Sequence, residues 1–252
     1  MTHSTGGGPI AGDVNHLTIW QEWLQRPQSL WVHRIAFNVH FAIGVVVCLY
    51  VMLMGITGSV IVYRDELSRR LSVEWLVRLH TNLLSRQIGR FLNGIGAIAL
   101  TLLCLTGAII WWPGIKNWHR SLTVNWRAHL GRVSWDLHSA LGFWFYLFVL
   151  IWGISGMYFA FSRPFYALFG FLDPHDRLTD PVLSLLSDLH FGRFNWFTKV
   201  LWSLGGLVPA VLAGTGVFVC CRRWIYNKTS NPHQETGVIV ARAHSTRQQK
   251  NE

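Results

Sequence analysis

The 252-residue chain is 51% hydrophobic and only 13% charged, with 22 Lys and Arg against 12 Asp and Glu for a net charge of +10. Soluble domains carry about 25% charged residues. Half that charge on a chain with 14 Trp and 15 Phe excludes a disordered, fibrous or disulfide-stapled protein and argues against a soluble globular one. The excess of positive charge does not point to nucleic acid, because the basic residues fall in short loops between long apolar runs, which is the membrane pattern.

Taken in chain order, residues 1–35 read as a polar amino tail and interfacial segment, with no basic region followed by an apolar core that would mark a signal peptide. Residues 36–225 then hold four stretches that each reach the roughly 20 apolar residues a helix needs to cross ~30 Å of hydrocarbon. They run over about 36–63, 91–112, 139–161 and 197–221. Trp111-Trp112-Pro113 closes the second, with indoles at interface depth and a proline that cannot continue the helix. Residues 226–252 form a polar tail. The expected fold is an all-α integral membrane protein, a four-transmembrane-helix bundle.

Orientation follows from Lys and Arg, of which the amino tail, the 113–137 loop and the carboxyl tail carry about 12 against about 9 in the other two loops. Asp173, Asp176, Asp180 and Asp188 widen the gap in net charge. Both termini are therefore expected in the cytoplasm, and in a bacterium the protein would span the inner membrane, with membrane lipid as its surroundings. Cys48, Cys104, Cys220 and Cys221 lie in or at the end of apolar runs and read as small packing residues. No CxxCH is present to attach a c-type haem, and no CxxC suggests zinc or redox chemistry.

The chain repeats itself. Val39-His40-Phe41-Ala42-Ile43-Gly44 matches Leu137-His138-Ser139-Ala140-Leu141-Gly142, and Gly55-Ile56-Thr57-Gly58 matches Gly153-Ile154-Ser155-Gly156 at the same offset. Leu79-His80 likewise pairs with Leu189-His190, Gly96 with Gly205, and Thr106-Gly107 with Thr215-Gly216. Two repeated helix pairs would assemble with pseudo-twofold symmetry. Ionisable residues at membrane depth are expensive and are functional candidates by default. One histidine on an apolar face is usually a satisfied packing residue; four at equivalent entry positions are not so easily dismissed.

Because the spans alternate direction, His40 and His138 should share the cytoplasmic face as an inner pair, and His80 and His190 the opposite face as an outer pair. Two imidazoles per face on separate helices suit one haem iron per face, each held axially between two of the four histidines. They suit structural zinc poorly, since no cysteine or carboxylate completes a set of four. Gly55, Gly58, Gly153 and Gly156 should lie beside the outer pair, and Gly107, Gly214 and Gly216 beside the inner one, where missing side chains leave room for a flat macrocycle. Gly44 and Gly142 fall on the ligand face, four residues after their histidines. Tight helix–helix contact explains the glycines equally well.

Arg34, Arg90, Arg132 and Arg193 lie near the four histidines and would serve either as forked partners of haem propionates or as topology-setting interface residues. His33, His119, His129 and His175 have no symmetric counterparts; His129, nine residues before His138, is the nearest spare. His3, His16, His233 and His244 read as solvated.

Several of these motifs, in this order, resemble the PepSY-associated transmembrane family. The first helix of that family looks like His40 to Gly44, Gly55-Ile56-Thr57-Gly58 and Tyr63-Arg64-Asp65-Glu66-Leu67. Its second helix looks like Leu79-His80-Thr81-Asn82-Leu83-Leu84, Gly89-Arg90 and Leu105-Thr106-Gly107 with the Trp111-Trp112-Pro113 ending. Asp136-Leu137-His138 and Leu189-His190-Phe191-Gly192-Arg193 resemble the third and fourth. The resemblance, covering about 34–224, implies a dihaem cytochrome b related to iron-regulated reductases of ferric siderophores, with two haem b groups held by His40, His80, His138 and His190.

One departure stands out. Related proteins usually carry a soluble PepSY domain between the first two helices, whereas about 27 residues here are too few for a folded domain. Two readings follow. In the first, electrons pass from a cytoplasmic-side flavoprotein or quinol to a periplasmic acceptor such as a ferric chelate. In the second, the chain is a non-catalytic accessory or haem-carrying subunit of a larger respiratory or uptake complex, with a partner subunit in place of the missing domain. No nucleotide, flavin, hydrolytic or phosphate-binding motif is present. A small transporter would need broken helices and midplane charges, and the spans hold Pro209 but no central charge.

Overall fold

A computed structural model describes residues 18–68, 72–173, 179–192 and 194–230, the last eight by backbone alone. Residues 1–17 and 231–252, Arg193, His175 and the four tail histidines lie outside the described residues. Ten α-helices follow in order: α1 (Ile19–Gln25), α2 (Trp31–Ile61), α3 (Arg64–Leu67), α4 (Glu74–Asn82), α5 (Arg86–Trp111), α6 (Leu130–Trp144), α7 (Tyr146–Ala160), α8 (Ser162–Leu172), α9 (Thr179–Phe191) and α10 (Trp196–Ser230). Short 3-10 turns occupy Pro27–Ser29 and Trp118–Leu122, and no strand occurs among the described residues. A capping box opens α1: Gln21 N–H donates to Thr18 Oγ1 at 3.3 Å while Thr18 N–H donates back to Gln21 Oε1 at 2.9 Å.

Three helices are long and apolar enough to cross a membrane: α2, α5 and Trp196–Arg222 of α10. α6 and α7 pass the same test only together, as a pair bent by 68°. The expected single third span is thus broken, and not for want of a helix former elsewhere: Pro209 sits inside a continuous α10. The break falls at Phe145, within the aromatic run Phe143-Trp144-Phe145-Tyr146, whose rings lose side-chain freedom in a helix. These rings gain anchors instead. Phe143 stacks on Trp111 of α5 with ring centres 4.5 Å apart, and Trp144 Nε1–H donates to the Leu122 carbonyl at 3.2 Å.

α2 packs on α5 and α10, α5 on α7, and α10 on α6, while the short helices α4 and α9 lean on α5 and α7. Bulky aliphatics point outward: Val46 is 82% exposed and Leu49 77%. Small residues take the helix contacts, as expected where lipid removes any hydrophobic drive to bury leucine. Ser59 Oγ–H donates to the Ser203 carbonyl at 2.7 Å and Ser203 Oγ–H donates back to the Ser59 carbonyl at 3.1 Å, closing a reciprocal clasp between α2 and α10. Gly55 faces the Gly206 carbonyl across the same seam, and Gly153 faces Thr101 between α7 and α5. These two glycines do what small residues do at close helix crossings.

Candidate functional site

The four entry histidines fall into two layers at opposite ends of α2. His40 on α2 and His138 on α6 form one layer, their ring centres 6.3 Å apart and the planes perpendicular. In the other, His80 and His190 ride on the short helices α4 and α9 rather than on the long ones. They are close enough that His80 acts electrostatically on His190. Thr57, which touches His80, lies 17 residues beyond His40 on one unbroken helix, about 25 Å away.

Each short helix is brought back to the long ones by a tight turn. α4 ends on Leu83 and Leu84 in the left-handed region, at φ 49° and 60°, with the Leu83 and Leu84 N–H groups donating back to Leu79 and Arg78. α9 ends on Gly192 at φ 63°, where glycine takes that conformation without a Cβ penalty. A second brace holds each helix by a backbone carbonyl. Asn93 Nδ2–H donates to the His80 carbonyl at 2.8 Å, and its Oδ1 accepts from Tyr50 Oη–H at 2.7 Å. In the second half Trp202 Nε1–H donates to the Leu189 carbonyl at 2.7 Å.

Every one of the four imidazoles meets a hydroxyl through Nδ1. His40 Nδ1 lies 3.1 Å from Thr106 Oγ1, His138 Nδ1 3.2 Å from Thr215 Oγ1, His80 Nδ1 2.8 Å from Thr57 Oγ1, and His190 Nδ1 2.6 Å from Ser155 Oγ. The glycine that follows the hydroxyl makes room for the ring in three of the four cases. A side-chain carbon on Gly58, Gly107 or Gly216 would come within 3.2, 3.3 or 3.4 Å of Cε1 of His80, His40 or His138. Gly156 instead faces Ala97 of α5. The space at the first three is therefore filled by an imidazole. Gly44 and Gly142 meet only Leu103 and Leu212, at 3.8 and 4.0 Å, and Gly214 meets nothing within 4 Å.

Burial pushes His80 down to about 4, and burial together with the neighbouring His80 pushes His190 to about 3, so both rings are neutral and keep a lone pair at neutral pH. Phe159 stands edge-on to His190 at 5.0 Å, and its carbonyl accepts from Arg90 Nη2 at 3.3 Å. Arg90 thus reaches the layer of His80 and His190 by way of the backbone. Arg132 pairs with buried Asp136 at 2.8 Å, and Arg34 bonds the Ser29 carbonyl at 3.5 Å. His129 caps α6, accepting from Arg132 N–H at 3.2 Å, and His119 lies against Trp118. Neither joins a layer.

Reading the residues for charge and for glycine missed Thr57, Thr106, Ser155, Thr215, Asn93 and Trp202. The signal for the hydroxyls was present, since each directly precedes a glycine of the repeat. Nothing in the local sequence marks Asn93 or Trp202.

The helical frame and the motifs on α4 to α8 agree with one known family. Residues 69–181 match the PepSY-associated TM region. The match takes in His80 and His138 and leaves His40 and His190 outside it. Over that stretch the family resemblance drawn from the motifs holds, and a multi-pass membrane protein is what the PepSY-associated TM region and the apolar helices together describe. No curated protein and no solved structure matches the chain.

The donor chemistry fits a haem better than a bare metal ion. Among the described residues no three His, Cys, Asp or Glu converge, so each layer offers two imidazoles and no more. That is the axial set of a six-coordinate haem iron and half of what structural zinc takes.

Proposed function

We propose that this protein is a dihaem b-type cytochrome, a four-span bundle that carries electrons across the bacterial inner membrane. His40 and His138 would hold one haem towards the cytoplasm, where both termini lie; His80 and His190 would hold the other towards the periplasm. A bound haem supplies the one-electron change of iron. The chain's own residues do the rest. The four imidazoles would hold the iron through a ring nitrogen each, the apolar helices would exclude water, and the small residues of the α2–α10 and α5–α7 seams would keep the frame closed. Electrons would enter from a flavoprotein or quinol and leave to a ferric chelate, as in the siderophore reductases that the family resemblance implies.

The observation that carries this reading is the pairing itself: four histidines at repeated positions, gathered two by two, each held at Nδ1 by a hydroxyl. Metal-bound histidines are held in this way through the ring nitrogen that does not bind. A transporter is less well supported, because the one broken span carries no charged residue at its break. A pyridine haemochrome assay and reduced-minus-oxidised spectra of the purified protein test the proposal. Two low-spin haem b per chain are expected. A colourless preparation from haem-replete cells, or one haem per chain, overturns it.

A further inference from the structure

The four hydroxyls have a common arrangement that decides more than where the histidines sit. Each spends its only proton inside its own helix, on the carbonyl four residues back: Thr57 to Leu53 at 2.7 Å, Thr106 to Leu102 at 2.7 Å, Ser155 to Ile151 at 2.6 Å and Thr215 to Val211 at 2.8 Å. A hydroxyl so engaged has only lone pairs left for the imidazole. The ring nitrogen facing it must therefore supply the proton. An independent contact says the same in the inner layer, where His138 Nδ1 also lies 3.0 Å from the Leu212 carbonyl, which can only accept.

We propose that Thr57-Gly58, Thr106-Gly107, Thr215-Gly216 and the hydroxyl of Ser155 alone are histidine clamps, which lock each imidazole as the Nδ1–H tautomer and leave Nε2 as its one free lone pair. The hydroxyl sets the tautomer, and at Gly58, Gly107 and Gly216 the absent side chain lets the Cε1 edge press against the helix. Imidazole in water favours the other tautomer, with the proton on Nε2, so an unclamped ring would present its lone pair at the wrong nitrogen. The clamps also leave a lasting partial negative pull on Nδ1–H, which raises the basicity of Nε2. Thr57, Thr106, Ser155 and Thr215 are in this sense positioning residues: they act on a ligand through its histidine. The inference rests on the haem reading only for what Nε2 binds; the tautomer follows from the hydrogen bonds.

The test is a 15N–1H spectrum of the purified chain labelled at histidine. The four clamped rings are expected to carry slowly exchanging protons on Nδ1, whereas half-exposed His33 and exposed His119 should exchange freely. Thr57→Val keeps the side-chain volume but deletes the hydroxyl. It should alter the His80 signals alone, and Thr57→Ser should restore them. In haem-loaded protein Thr57→Val should weaken retention of the outer haem by about tenfold or more and move its midpoint potential upward, with the inner component unmoved. A proton on Nε2 in any of the four rings of the native chain overturns the clamp, as does an unchanged His80 signal in folded Thr57→Val. If Thr57→Val does not fold, the native spectrum still decides the tautomer. If the purified protein holds no haem, the proposed function fails while the tautomer remains readable.

Discussion

The two halves of the chain reach the same local chemistry on different frames. In the first, α2 runs unbroken from Trp31 to Ile61, and the stretch corresponding to the later break is Val45-Val46-Val47-Cys48. In the second, Phe143-Trp144-Phe145-Tyr146 bends the helix by 68°. The first half turns α4 into α5 through Leu83 and Leu84 at positive φ, and the second turns α9 through Gly192. Asn93 braces the first short helix, and Trp202 the second. Against these differences the hydroxyl-to-Nδ1 contact is kept in all four places. Two frames diverge while one contact stays.

The largest effect should come from the histidines themselves. His40→Ala and His138→Ala are expected each to remove the same one of two haem absorbance components, and His80→Ala and His190→Ala the other, as read in redox difference spectra. Should His40→Ala and His80→Ala abolish the same component, the layers are not the functional units and the halves would be.

Next come the glycines, where the halves part company. Gly58→Leu places side-chain carbons against Cε1 of His80 and should selectively displace the outer component. Gly156→Leu meets Ala97 instead and should cost about 1–3 kcal/mol of overpacking across α5 and α7, lowering thermal stability with both components affected together. Equal spectral effects of the two variants would erase the distinction drawn between them.

The braces should differ by a smaller margin. Asn93→Leu removes the bond to the His80 carbonyl and the partner of Tyr50, leaving polar groups unpaired at a cost of about 1–3 kcal/mol. Trp202→Phe gives up one bond to the Leu189 carbonyl, worth about 0.5–1.5 kcal/mol, and keeps the ring contact with Phe148. Thermal unfolding of the two variants in one detergent measures the gap. Smallest of all, Leu84→Gly gives the first half the residue type that the second uses for its turn. Leu84 is exposed, and relief of its left-handed backbone should raise stability by about 1 kcal/mol, seen as a higher unfolding midpoint.

Much of this was legible in the residues. Apolar length and the Lys and Arg distribution mark the spans, because burial in lipid is decided residue by residue. His80 lies about ten residues ahead of its apolar run, and it rides on a separate short helix, α4. The bend between α6 and α7 resisted such reading. Hydropathy sees aromatic and aliphatic residues alike as apolar, while the bend depends on ring contacts with Trp111 and Leu122 that lie elsewhere in the chain.

The sequence by itself determined a multi-helix membrane protein with an internal repeat, four histidines at matching positions and a small residue wherever helices meet. All of these are properties of composition and short-range spacing. Only the tertiary structure decided that His40 faces His138, that Thr57 reaches His80 from another helix, that Gly156 serves a helix crossing while Gly58 admits an imidazole, and that Asn93 and Trp202 occupy equivalent roles. Those facts join residues 13 to 98 positions apart. They depend on the direction in which each side chain leaves its helix and on the angle at which helices cross, which no window of local sequence contains.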